Sequence, residues 1–148
     1  MGLRQGCPLS PFLFLLVVEG LSRAIKEQVR ENNLEGIYVA RGHYITHLMF
    51  VDDIIMFGNG SFGEWILYKD LLELLSKATG MAFSPQKSML LEARWRTEDL
   101  ALLKEILPFD VKSVDVGFKY RGCFLKPNCY KKSDWYWLVR KFEKRIAS

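Results

Sequence analysis

The fourteen residues Tyr44-Ile45-Thr46-His47-Leu48-Met49-Phe50-Val51-Asp52-Asp53-Ile54-Ile55-Met56-Phe57 carry the strongest pattern in the chain. Two short apolar runs, Ile45 to Val51 and Ile54 to Phe57, meet at adjacent carboxylates, which predicts a hairpin with both acids at its tip. Neighbouring anions among Leu48, Met49, Phe50, Ile54 and Ile55 repel one another and lose hydration, and bound cations offset that cost most readily. Magnesium suits such a place, because it takes oxygen ligands and keeps water and substrate phosphates in its shell. The alternative is a solvated turn, since Asp tolerates turn geometry and bonds its own backbone.

Before the hairpin, Gly2-Leu3-Arg4-Gln5-Gly6-Cys7-Pro8-Leu9-Ser10-Pro11 is a loop that runs into a helix reaching about Glu31. Ser10 is a fitting N-cap and Pro11 a fitting first helical residue. Apolar residues from Phe12 to Val18 predict a buried start, and Leu21, Ile25 and Val29 predict an amphipathic continuation. Residues 32–42 read as polar linker with a short strand at Ile37 to Val39. After the hairpin, Ser61 with Glu64 reads as a capping box, Leu67, Leu71, Leu74, Leu75 and Ala78 as a buried stripe, and Gly80 as a stop. An extended segment carrying Lys87 and Ser88 leads to a strand at Met89 to Leu91. Thr97 caps a helix ending before Pro108, and Phe118 to Leu125 reads as a strand. Ser133 and Asp134 open a last helix, Trp135 to Ile146, with Trp135, Leu138, Val139, Phe142 and Ile146 on one face and Arg140, Lys141, Lys144 and Arg145 on the other.

At 148 residues and 49% hydrophobic the chain fits one domain with a proper core, and disorder is not indicated. Charge is uneven. From Lys119 onward nine Lys or Arg face two acids, leaving residues 1–118 at −3. A basic, aromatic end suits contact with nucleic acid, and a solvated amphipathic helix accounts for it as well. Cys7, Cys123 and Cys129 are odd in number and unpaired in spacing, which argues for an intracellular, reducing compartment and against a disulfide framework or zinc ribbon. His43 and His47 read as sheet residues, not metal ligands. The longest apolar run stops at Glu19, short of a membrane span.

Four pieces then stand in order: Arg4-Gln5-Gly6-Cys7-Pro8-Leu9-Ser10-Pro11, Phe50-Val51-Asp52-Asp53, a segment ending in Lys87-Ser88, and Tyr120-Arg121-Gly122. Together they resemble the reverse transcriptases of non-LTR (LINE-type) retrotransposons, especially those of plant genomes, over essentially the whole chain. The family's Phe-Ala-Asp-Asp box has Val51 in place of Ala here, and its Tyr-Leu-Gly primer-grip turn has Arg121 in place of Leu. The resemblance implies an RNA-directed DNA polymerase with two magnesium ions about 4 Å apart at the acids. Asp52 would be a metal ligand and Asp53 a second or supporting one, with Lys87 neutralising pyrophosphate. Arg4, Gln5 and Gly6 would lie against the incoming dNTP and the RNA template base. Tyr120 and Gly122 would hold the DNA primer end, and Arg140, Lys141, Lys144 and Arg145 would grip the duplex backbone.

The fold expected is α+β, an incomplete polymerase palm with an antiparallel sheet around the carboxylate hairpin and helices on one face. Residues 1–125 would form the palm part and residues 126–148 a basic amphipathic helix like the start of a thumb. In the family another metal-binding Asp belongs to an earlier strand, so the expectation is a fragment inactive alone, with an exposed sheet edge open to self-association. Two other readings stand beside it. One is a binding module kept for nucleic-acid or protein contacts without catalysis. The other is a one-metal hydrolase, disfavoured because no His or third acid lies nearby as a general base.

Overall fold

The computed structural model describes residues 7–93, 97–127 and 130–147, apart from the side chain of Thr97. They divide into two compact units, residues 7–84 with 97–108, and residues 85–93 with 109–147. The class is α+β.

In the first unit α1 spans Ser10–Arg30. Ser10 is not its cap. Leu9 holds that position with backbone angles already helical, and the Ser10 N–H donates to the Cys7 carbonyl at 3.0 Å, so a turn feeds the helix and no side chain caps it. The apolar start is not buried either: Phe12, Leu15 and Leu16 are each more than 60% exposed. Burial begins at Leu21, Ser22 and Ile25, where the second helix and the carboxylate hairpin reach α1.

A hairpin of β1 (Ile37–Ala40) and β2 (His43–Ile45) follows, and then the hairpin of β3 (His47–Phe50) and β4 (Asp53–Met56). The expected single strand from Ile45 to Val51 is therefore broken at Thr46, and residues 43–45 pair backward while residues 47–50 pair forward. Helix α2 covers Phe62–Thr79. The Ser61 hydroxyl accepts the Glu64 N–H at 3.3 Å, and the helix stops at Gly80, whose N–H donates to the Ser76 carbonyl. Tyr68 and Leu71 bury with Leu21, Ile25 and Leu34, and Met49, Ile54 and Met56 of the hairpin pack on that cluster. Leu74 is 61% exposed and Ala78 is exposed, so the buried stripe runs through Glu64, Tyr68 and Leu71 instead. Helix α3, Thr97–Ile106, packs on α2 with Leu103 and Leu107 buried. Each such aliphatic side chain contributes about 1.5–3 kcal/mol on burial.

In the second unit β5 (Met89–Glu92) and β6 (Asp110–Ser113) pair in parallel, Leu90 opposite Val111. A parallel pair needs a long crossover, and here the intervening chain contains α3. The segment expected as one strand from Phe118 to Leu125 is a hairpin, β7 (Phe118–Tyr120) and β8 (Cys123–Leu125), turning at Arg121 and Gly122. Both turn residues have positive φ, +49° and +77°, the requirement of the tight two-residue turn that suits twisted strands, and glycine meets it without strain. The last helix, α4, runs Tyr136–Ile146 after a 3₁₀ turn at Lys132–Trp135. Among the described residues no helix is long and apolar enough to cross a membrane.

Candidate functional site

The β3–β4 ladder pairs His47 with Met56, Leu48 with Ile55, Met49 with Ile54 and Phe50 with Asp53. Alternation along the strands puts Met49, Ile54 and Met56 on the face that packs on the helices, and Leu48, Phe50, Asp53 and Ile55 on the other. The tip is Val51-Asp52 alone, and Asp53 is the first residue of β4, so the two acids are not equivalent as the sequence suggests. Asp52 is exposed and Asp53 half-buried. Val51 has φ +53°, a left-handed conformation that a β-branched residue seldom adopts.

The root of this hairpin is fastened to both helices. From α2, the Tyr68 hydroxyl lies 3.0 Å from the Thr46 carbonyl and 2.7 Å from the Phe57 carbonyl, the residues just before β3 and just after β4. The Phe57 N–H also donates to the Thr46 carbonyl at 2.8 Å, which closes the ladder there. Burial, with Glu64 nearby, raises the Tyr68 hydroxyl pKa, so it stays a donor. From α1, Ser22 Oγ is 2.9 Å from His47 Nε2, and His47 Nδ1 is 3.0 Å from Thr46 Oγ1. Burial, and to a smaller degree the Lys26 charge, holds the His47 imidazole below its ordinary pKa.

Glu64 departs from a capping box. Its carboxyl does not return to Ser61; Oε1 accepts the N–H groups of Glu35 (2.6 Å) and Gly36 (3.3 Å), and Oε2 accepts that of Asn59 (2.7 Å). It is 2% exposed and ties the loop before β1 to the loop after β4. Gly36 has φ +78°, and a side chain there would collide with the Ile45 carbonyl, so only glycine lets this loop approach. Sequence reasoning missed the tie from Tyr68 to the hairpin root, the Ser22–His47 link and the true partners of Glu64. The one available signal was a Tyr and a Glu four apart on an otherwise aliphatic stripe.

The remaining expected site residues fall elsewhere. Arg4, Gln5 and Gly6 lie outside the described residues. Lys87 is exposed in the turn at residues 85–87, before β5 in the second unit. Tyr120 is half-buried and Gly122 is exposed at the turn of the β7–β8 hairpin, where the Lys141 ammonium comes within 3.6 Å of a Cβ built on Gly122. Lys141 also lies over the Trp137 ring, 6.0 Å from its centre. Thus Gly122 and Lys141 of α4 meet in one unit, while Asp52 and Asp53 stand in the other. Arg140, Lys141, Lys144 and Arg145 are exposed on α4, as are Trp135, Val139, Phe142 and Ile146. The helix start is held by Asp134, whose Oδ2 accepts the Lys131 N–H at 2.8 Å, and by Tyr130 packed on Trp135 at 5.2 Å.

Two adjacent carboxylates are a donor set that fits a hard divalent ion, which ordinarily takes one or two of them with waters and phosphates. Among the described residues no cluster of three or more His, Cys, Asp or Glu could hold a metal ion.

Asp52 at the turn and Asp53 at the head of β4 thus stand together at the end of a hairpin whose inner face packs on the core shared with α1 and α2. The family described as reverse transcriptase (RNA-dependent DNA polymerase) matches residues 1–123, and the chain belongs to it. It is 26% identical over 142 residues to the retrovirus-related Pol polyprotein from type-2 retrotransposable element R2DM of Drosophila melanogaster, covering 95% of this chain and 12% of that one. It is 47% identical over 53 residues to an uncharacterized mitochondrial protein of Arabidopsis thaliana, covering 35% of this chain and 43% of that one. The chain thus spans less than half the length of either relative. No solved structure matches it. The expected resemblance to non-LTR retrotransposon reverse transcriptases is borne out.

Proposed function

We propose that these 148 residues are the part of an RNA-directed DNA polymerase that supplies the carboxylate hairpin of its metal centre. What supports this reading is one observation: within the span matched to the family, the two acids sit at the end of a hairpin whose inner face and root are fixed to α1 and α2. Asp52, exposed at the tip, is the residue for direct metal ligation, and Asp53, half-buried in β4, is its second or supporting carboxylate. Magnesium bound there would lower the pKa of a primer 3′-hydroxyl and neutralise charge on the departing phosphates. In the reaction that hydroxyl gives up its proton to solvent, its oxygen bonds to the α-phosphorus of a dNTP, the bond from that phosphorus to the bridging oxygen of the β-phosphate breaks, and pyrophosphate leaves. Lys87 would give charge or a proton to pyrophosphate. Arg4, Gln5 and Gly6 would contact the nucleotide and template, and Tyr120 and Gly122 the primer end. Arg140, Lys141, Lys144 and Arg145 on α4 would contact the duplex backbone, Lys141 being already beside Gly122.

The two-metal centre needs donors beyond Asp52 and Asp53, and the reading therefore holds that the 148 residues alone do not extend a primer. Leu48, Phe50 and Val51, exposed on this hairpin, would offer a route to self-association. Magnesium-dependent extension of a DNA primer on an RNA template by the 148-residue chain is the test. No extension, together with manganese broadening of the Asp52 and Asp53 NMR signals that Asp52→Asn removes, is the expected result. Robust extension abolished by Asp52→Asn would overturn the inactivity, and absence of any manganese effect would overturn the metal site.

A further inference from the structure

Tyr68 lies one helical turn beyond Glu64 on the buried face of α2, and the two side chains satisfy five backbone groups in three separate loops. Those of Tyr68 are the carbonyls of Thr46 and Phe57, the two points where the chain enters and leaves the carboxylate hairpin. A two-stranded ladder is marginal by itself and can tilt about its root. Its inner face is apolar and non-directional, so packing on the cluster around Ile25 sets its depth but not its angle. A hydrogen bond is directional, and one from a buried ring with a single polar atom leaves little freedom. Tyr68 is 1% exposed, and the Trp65 ring lies 5.9 Å from its ring, tilted at 53°.

We infer that Tyr68 is a positioning residue for the Asp52–Asp53 hairpin: its hydroxyl, bridging the Thr46 and Phe57 carbonyls, fixes the hairpin's orientation on α2 and so the place of its carboxylates. Glu64 acts beside it, holding the loops on either side of the β1–β4 segment at Gly36 and Asn59. The consequence for metal binding rests on the function proposed above; the mechanical claim does not.

The test uses the full 148-residue chain, labelled with nitrogen-15, as wild type, Tyr68→Phe and Ile25→Val. Tyr68→Phe removes only the hydroxyl, whereas Ile25→Val trims the same core and leaves it in place. Amide hydrogen exchange is read for residues 48–55 relative to residues 66–76 of α2, and manganese is titrated at the hairpin. In Tyr68→Phe the hairpin amides should exchange about tenfold faster relative to α2, the ratio that loss of one ordinary hydrogen bond produces. Manganese affinity at Asp52 should fall several-fold. Ile25→Val should speed both sets alike. An unchanged ratio in Tyr68→Phe overturns the inference. Should wild type show no manganese effect, the metal reading fails while the exchange ratio still judges the clamp. If Tyr68→Phe does not fold, the wild-type Tyr68 hydroxyl proton is observed instead: slow exchange with solvent supports the bridge, and fast exchange overturns it.

Discussion

Val51 occupies the first position of the β3–β4 turn at φ +53°, where its branched side chain crowds the backbone. The left-handed region costs a non-glycine residue about 1–2 kcal/mol, and glycine gives back part of that through a looser unfolded chain. Val51→Gly should therefore raise stability in urea by about 0.5–1 kcal/mol, with an unchanged denaturant slope. Val51→Ala keeps the Cβ at this positive φ and removes only the branch, so it should recover less of the strain. His47 gives a second residue-scale expectation. Burial lowers its pKa when folded, so below about pH 6.5 the unfolded chain takes up the proton first. Stability is complete above that pH and falls as the medium is acidified through it. Urea midpoints at pH 7 and 5.5 should differ for wild type, and His47→Gln should lose the part of that difference due to the imidazole. That the acids cap an apolar hairpin was legible from the two apolar runs alone. That Val51 bears the positive φ was not, because nothing in Phe50-Val51-Asp52-Asp53 marks which residue must turn.

Elements behave according to what their ends can bond. Helix α2 begins where Ser61 said it would, and Ser61→Ala should cost about 1 kcal/mol by loss of the cap. Glu64 is different, since its removal strands three backbone N–H groups, two of them at 2.6 and 2.7 Å. Glu64→Ala should cost about 3 kcal/mol or more, measured by thermal or chemical unfolding, because each buried unpartnered donor costs about 1–3 kcal/mol. The capping-box pattern located this Glu and misassigned its carboxyl, because a local rule sees only Ser61 three residues back. The donors it serves, at Glu35, Gly36 and Asn59, approach only when two distant loops converge. The same limit explains the β7–β8 hairpin: Arg121-Gly122 lacks the Asn-Gly or Asp-Gly signature, so two strands read as one. Parallel pairing of β5 with β6 was equally silent, as register across an intervening helix leaves no trace in either strand's own pattern.

For the whole molecule the charge division foreseen in the sequence persists as an exposed cationic helix, with Arg140, Lys141, Lys144 and Arg145 in solvent. Affinity for single- or double-stranded nucleic acid should fall steeply between 50 and 200 mM salt. Replacing Lys141 and Lys144 by Ala should flatten that dependence by about one to two ions, and Asp52→Asn should leave it unchanged. Fluorescence anisotropy across a salt series checks both. The division into two units carries a further consequence. Residues 97–108 belong with residues 7–84, whereas β5, which precedes them, belongs with residues 109–147. The chain leaves the first unit, starts the second, returns, and leaves again. No single cut can therefore release both halves whole: severing after residue 84 strips α3 from the first, and severing after residue 108 strips β5 from the second. On a ribosome, β5 must emerge and wait for its ladder partner until residues 110–113 follow, so the parallel pair cannot form until α3 and β6 have both been synthesised.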